Sequence, residues 1–210
     1  MIDASATVFV IDDDPSVRDA ICSLLQSVGL RVELFGSVTE FLAAWQRQGP
    51  ACLVLDIRLP GRSGLDFQDD LARAQVPLPV IFITGHCVFQ MSVRAMKAGA
   101  VEFLTKPFRD QDLLDAIQAA IARDRAALEA ELALVDLRRN AAELTPRERE
   151  VMWHVVRGRS NKQIAISLCL SEVTVKTHRG RLMRKMNADS ITDLVRMADR
   201  LASADSGANE

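Results

Sequence analysis

Nowhere in the 210 residues does an apolar run approach the roughly 20 needed to cross a bilayer. The opening Met-Ile-Asp-Ala-Ser-Ala-Thr also lacks the basic start and apolar core of a secretory leader. A cytoplasmic chain with no membrane partner is therefore expected. Cysteine is sparse: Cys22, Cys52, Cys87 and Cys169 stand far apart and form no Cys-x-x-Cys pair, which argues against a zinc site and against a disulfide framework. They are expected to be core thiols. Beside these absences, 49% hydrophobic and 26% charged residues describe an ordinary soluble chain, long enough for one large domain or two small ones that fold without staples.

The net charge of -2 hides an asymmetry. Residues 145–200 hold 12 Lys or Arg against 6 Asp or Glu, while the remainder holds 14 against 22. A basic C-terminal part behind an acidic N-terminal one suggests a nucleic-acid reader attached to something else, and a solvated charged face is the plainer alternative.

The first 125 residues alternate short β-like runs with amphipathic stretches. Candidate strands are 7–11, 31–35, 51–55, 80–83 and 101–105; most are almost continuously apolar, as in a parallel sheet covered on both faces. Gly29 and Gly99 sit where helix C-caps belong, and Thr39 where an N-cap does. The pattern predicts a doubly wound α/β domain. From 110 to about 143 the chain reads as one helix, with Leu114, Ile117, Ile121, Leu128, Leu132 and Val135 on one stripe. Its first part should close the sheet, and the rest should form a connector whose stripe is a dimer seam or a packing face. Beyond it lie short helices alone. Thr145-Pro-Arg-Glu148 and Ser160-Asn-Lys-Gln163 fit capping boxes, Ser171 and Ser190 are N-cap candidates, and Gly158 closes the first helix. With 169–171 as the turn, a helix-turn-helix within a four-helix unit is predicted, followed by a frayed tail from 202.

Three apolar runs end in polar residues of particular kinds: Asp12 and Asp13, Asp56, and Lys106, with Thr84 closing a fourth. In parallel α/β sheets ligands bind beyond the carboxyl ends of the strands. Clustered carboxylates repel one another unless a cation is present, so the group predicts Mg²⁺ or Mn²⁺, with Lys106 a point charge for a phosphoryl oxygen and Thr84 a hydroxyl donor. One carboxylate could then act as a nucleophile toward a phosphoryl donor.

The stretches Val-Phe-Val-Ile-Asp12-Asp13-Asp14-Pro, Leu-Asp56-Ile-Arg-Leu-Pro60-Gly-Arg-Ser-Gly64, Ile-Thr84-Gly-His and Lys106-Pro107-Phe resemble the receiver domain of bacterial two-component response regulators. Leu144-Thr-Pro-Arg-Glu148-Arg-Glu-Val, Asn161-Lys-Gln-Ile-Ala and Val173-Thr-Val-Lys-Thr-His178 resemble the LuxR-type domain of the NarL/FixJ group. The 43 residues from Asp13 to Asp56 fit as well. This resemblance implies a receiver over 1–122 with strand order 2-1-3-4-5, a linker helix over 123–143, a DNA-binding domain over 144–203 and a disordered tail over 204–210. It makes Asp56 the phosphoacceptor, charged by a sensor histidine kinase. Asp13, Asp56 and the Arg58 carbonyl would hold Mg²⁺, with Asp12 acting mainly through water. Thr84 and Phe103 would be the switch pair, Lys106 would bind the phosphoryl group, and Lys106-Pro107 would be cis. Relatives commonly carry a small residue and an acid where this chain has Cys87-Val88-Phe89-Gln90; an apolar loop there would slow water entry or serve a partner surface.

On the helix after Ser171, Val175, Leu182 and Met186 should face inward, and Lys176, Thr177, Gly180, Arg181 and Arg184 outward. That outer face can enter a major groove, where Lys and Arg favour guanine and Thr can touch a thymine methyl. Lys162, Arg159, Arg179 and Lys185 read as phosphate contacts or solvated charge. His178 completes the candidate DNA-contact set, although its place beside the apolar stripe suits a core histidine, and His86 and His154 have no evident partner. A dimer on DNA is expected, with 190–201 as its helix by the same resemblance.

The reading is a phosphorylation-switched transcription factor rather than an enzyme. Two alternatives stay open. A receiver-like factor could work without phosphorylation, or Ile-Asp12-x-Asp14-x-Ser16 with Thr84 could belong to an Asp-nucleophile phosphohydrolase, with Asp12 attacking. The second lacks a later acidic pair at a strand end, since Asp69-Asp70 lie in a helix-like stretch.

Overall fold

Runs in which every side chain can be buried on one sheet face or the other become the central strands. The computed structural model describes residues 6–85 and 89–206. In it β1 (Thr7–Ile11), β3 (Ala51–Asp56) and β6 (Val80–Thr84) are buried along their whole length, with β2 (Arg31–Phe35) and β7 (Glu102–Thr105) at the edges. All five are parallel, in the order β2-β1-β3-β6-β7. Counted over the five sheet strands, this is the predicted 2-1-3-4-5. A two-residue ribbon, β4 (Arg58–Leu59) with β5 (Arg62–Ser63), follows β3 outside the sheet. Val101 precedes the last strand rather than opening it.

Because strand side chains alternate, each buried strand feeds two cores. Val8, Val10, Cys52, Val54, Ile81 and Ile83 point to the face covered by α1 (Pro15–Ser27) and the start of α5 (Asp110–Ala142), where Leu113, Ile117 and Ile121 pack. Phe9, Ile11, Leu53, Leu55 and Phe82 point to the face of α2 (Val38–Ala44), α3 (Gly64–Arg73) and α4 (Phe89–Lys97). Phe41 joins the second core at the centre of an aromatic group, its ring 5.5 Å from Phe9 and Phe35 and 5.9 Å from Phe67. Burial of each such ring stabilises by about 2–3 kcal/mol.

Several local expectations change. Ser37, not Thr39, caps α2, accepting from Glu40 N; the Ser-Val-Thr run offers two hydroxyls, and the chain uses the earlier. Gly29 and Gly99 take φ of +79° and +90° after their helices. Asp124, which interrupts the stripe of α5, is buried: its Oδ2 accepts from Ala51 N and its Oδ1 from Arg47 Nη2, each at 2.8 Å. Burial pushes this carboxyl upward, against the Ala51 N–H and the Arg47 charge. The bond ties α5 to the start of β3.

The chain divides into two compact units, the first ending at Leu128 and the second beginning at Glu129. In the second, Leu132 and Val135 stay exposed, and Leu137, off the predicted stripe, is the buried packing residue of that helical stretch. Four helices follow: α6 (Pro146–Val156), α7 (Asn161–Leu168), α8 (Glu172–Met186) and α9 (Ile191–Ser206). Both predicted capping boxes form, and Ser171 and Ser190 accept from the third residue onward. Cys169 ends α7 at φ +54° and is exposed, so it is no core thiol, whereas Cys52 is fully buried and Cys22 half-buried. Helix α9 continues to Ser206, past the point where small polar residues predict fraying.

Glu148 is buried in this unit yet charged. Burial alone would raise its carboxyl; Lys185 Nζ at 2.7 Å and the Thr145 N–H and hydroxyl outweigh it and hold the group at about 2. A carboxyl whose folded value lies below its unfolded one stabilises above the unfolded value, near 4.3, and the contribution is lost as pH falls toward 2. Urea unfolding in a Trp45→Phe background, where Trp153 on α6 reports, should show Lys185→Met weakening this unit at pH 7 by about 2 kcal/mol, the worth of a hydrogen bond to a charged group. The deficit should shrink between pH 4.5 and pH 2; a constant deficit would contradict the pair.

Candidate functional site

Strands β1, β3 and β6 all end at the same sheet edge because their registers run parallel. Asp12 and Thr84 are fully buried there, Asp56 is nearly so, and Asp13 is exposed. One oxygen from each of Asp12, Asp13 and Asp56 lies within 4.8 Å of the others, so the predicted acids do converge. Lys106, delivered by the end of β7, puts its Nζ 2.5 Å from Asp12 Oδ2 and 3.5 Å from Asp56 Oδ2. Its backbone N–H donates to the Thr84 carbonyl, and its bond to Pro107 is cis. Burial raises the Asp56 carboxyl; the Lys106 charge and the Arg58 N–H at 3.3 Å oppose this, and the Asp12 charge reinforces it. Phe103 is half-buried against the sheet core, its ring centroid 6.5 Å from that of Phe82.

Two further residues shape this edge. Arg18 on α1 donates to the Asp12 carbonyl at 2.6 Å, which fixes the end of β1. A side chain at position 64 would overlap the Asp56 carbonyl oxygen, so Gly64 is required for the start of α3 to pass behind β3. Glycine in the run after Asp56 is visible in the sequence; the close approach that demands it is not. Of the loop after Thr84, His86, Cys87 and Val88 lie outside the described residues, while Phe89 opens α4 and is exposed.

In the second unit α8 separates its faces as predicted. Val175, Leu182 and Met186 are fully buried, and Lys176, Thr177, Gly180, Arg181 and Arg184 are exposed. Lys162 on α7 is exposed too. The other cations serve the domain itself: Arg179 Nη1 bonds Asn161 Oδ1 at 2.6 Å, Arg159 bonds Ser167 Oγ, and Lys185 pairs with Glu148 and the Glu143 carbonyl. Arg159 is itself exposed, in keeping with its reading as solvated charge, whereas Arg179 and Lys185 are half-buried and engaged within the domain. His178 is half-buried, and its Nδ1 is buried without a hydrogen-bond partner among the described residues, as is that of His154. A Cβ on Gly180 would meet no atom within 4 Å, so packing within the described residues does not demand glycine there.

No helix among the described residues is long and apolar enough to cross a membrane. Residues 8–118 match the family described as response regulator receiver domain, and residues 142–198 match bacterial regulatory proteins of the luxR family. The chain is 52% identical to Nodulation protein W of Bradyrhizobium diazoefficiens, over 93% of this chain and 86% of that protein. It is 40% identical to the transcriptional regulatory protein FixJ of the same organism, over 92% and 94%. The solved structure of the response regulator StyR matches with a TM-score of 0.83 at 43% identity, over 93% of this chain and 99% of that one.

Proposed function

Because the chain belongs to the NarL/FixJ family of response regulators, and is a phosphorylation-regulated transcriptional regulator, we propose that Asp56 is its phosphoacceptor and the exposed face of α8 its DNA-reading surface. The observation that carries the first part is the meeting of Asp56, Lys106 and Thr84 at one sheet edge, with Asp12 and Asp13 beside them. An Asp56 oxygen attacks phosphorus, the P–N bond of a sensor kinase phosphohistidine breaks, and the electron pair returns to the imidazole nitrogen. Lys106 shifts from its carboxylate partners to a phosphoryl oxygen, and the Thr84 hydroxyl donates to another.

The hard oxygen donors of Asp12, Asp13 and Asp56, joined by the Arg58 carbonyl, suit Mg²⁺ or Mn²⁺, which when bound would neutralise charge on the transferred group. Phe103 turns inward as Thr84 moves, and this pair forms the switch. Phosphorylation then favours a cytoplasmic dimer on double-stranded DNA, with 190–201 as the pairing helix. Lys162, Lys176, Thr177, Arg181 and Arg184 contact the DNA. Arg179 and His178 support that face through their packing rather than by reaching bases.

The test is to treat the protein with acetyl phosphate and Mg²⁺, reduce the acyl phosphate with borohydride, and map the modified residue by mass spectrometry. Modification at Asp56 is expected. Modification at Asp12 would overturn the assignment and favour phosphohydrolase-like chemistry.

A further inference from the structure

Resting on the reading of α8 as the DNA-contacting helix, we propose that its N-terminal half selects thymine through paired methyl groups, with Val173 a base-contacting residue beside Thr177. Val173 is 76% exposed, on a helix whose other large apolar residues are buried or half-buried. It continues the exposed stripe in register: positions 173, 176, 177, 180, 181 and 184 recur at the spacing of one helix face. The residue therefore lies between Lys176 and Arg181 on that exposed face.

Thr177 is adapted to the same task. Its Oγ1 donates to the Val173 carbonyl at 3.1 Å, so the hydroxyl is satisfied within the helix, and the exposed remainder of the side chain is its Cγ2 methyl. Val173 and Thr177, one turn apart, thus present an apolar patch rather than a hydrogen-bonding one. On the edges of base pairs in the major groove the thymine C5-methyl is the apolar feature, and side-chain methyls are the groups that meet it. Gly180, one turn further on, keeps the helix surface low, so the backbone can lie close to the bases. The surrounding exposed cations Lys176, Arg181 and Arg184 match the phosphates and guanine edges of DNA and not the apolar surface of a protein partner.

The test uses the full chain, phosphorylated with acetyl phosphate and Mg²⁺, and a DNA fragment selected by that wild-type protein from a random pool, synthesised with deoxyuridine in place of thymidine at each position in turn. Deoxyuridine pairs identically and lacks only the methyl. Fluorescence anisotropy should show wild-type affinity falling roughly three- to tenfold at one position of each half-site, the size set by one buried methyl group. Val173→Ala and Thr177→Ser should bind uridine and thymidine DNA about equally there, whereas Thr177→Val, which keeps the methyl and discards the hydroxyl, should still discriminate. Equal wild-type affinity for both DNAs overturns the inference, as does discrimination that survives in Val173→Ala/Thr177→Ser. Failure to bind any DNA, thymidine DNA included, would instead overturn the underlying reading of α8.

Discussion

Asp56→Asn should take up no detectable phosphoryl group from acetyl phosphate, and its DNA affinity should stay at the unphosphorylated level whatever donor is added. Asparagine has nearly the shape of aspartate but is no nucleophile at phosphorus. The variant should also fold. Burial, reinforced by the nearby Asp12 charge, makes a charged Asp56 costly, as its raised carboxyl shows, and Asn removes that cost. Lys106 keeps its closer partner, Asp12, so the pocket loses one ion-pair arm and not its arrangement. Loss of labelling with a melting temperature no lower than that of the wild type separates a missing nucleophile from a collapsed site. If the variant instead regulated DNA binding as the wild type does, the chain would be a receiver-like factor working without phosphorylation.

Replacing Lys176 and Arg181 together by Ala should weaken DNA binding by about a hundredfold, each residue contributing about 1–3 kcal/mol if it reaches a base edge. Both side chains are exposed on the face opposite the buried Val175 and Leu182, so thermal stability should not change. Salt dependence distinguishes their roles. A residue that contacts phosphate lowers the slope of log affinity against log salt by about one when removed, and one that reads bases leaves the slope and relaxes sequence preference. Lys185→Met belongs to neither class. Its charge is spent on Glu148, and the variant should lose stability first.

That contrast marks where sequence reading stops. Asp12, Asp13, Asp56 and Lys106 were legible because each ends a strand-like run, and parallel strands bring such ends together. The inward and outward faces of α8 were legible from helical spacing. Whether a cation faces solvent or a neighbouring helix is a matter of tertiary packing: Arg179 and Lys185 look like Lys176 and Arg181 in sequence, yet their partners lie 18 and 37 residues away. Asp124 is the same problem with the sign reversed, an acid on an apolar stripe whose anchors at Ala51 and Arg47 are 73 and 77 residues distant. On α5 the periodic stripe favours Leu132 and Val135, whereas the second unit buries Leu137, a choice made by the helices that pack on it. Arg18 and Gly64 act through backbone carbonyls, which no side-chain pattern reveals.

The link between the acidic pocket and α8 is best measured as the affinity of the full chain for its selected DNA before and after stoichiometric phosphorylation by acetyl phosphate and Mg²⁺. Coupling between two sites is typically worth about 1–3 kcal/mol, so phosphorylation should tighten binding by about 5- to 150-fold, and Asp56→Asn should remain at the unphosphorylated value. Identical affinities for the two forms, with every Asp56 carrying a phosphoryl group, would contradict the assignment of this pocket as the input that controls DNA binding.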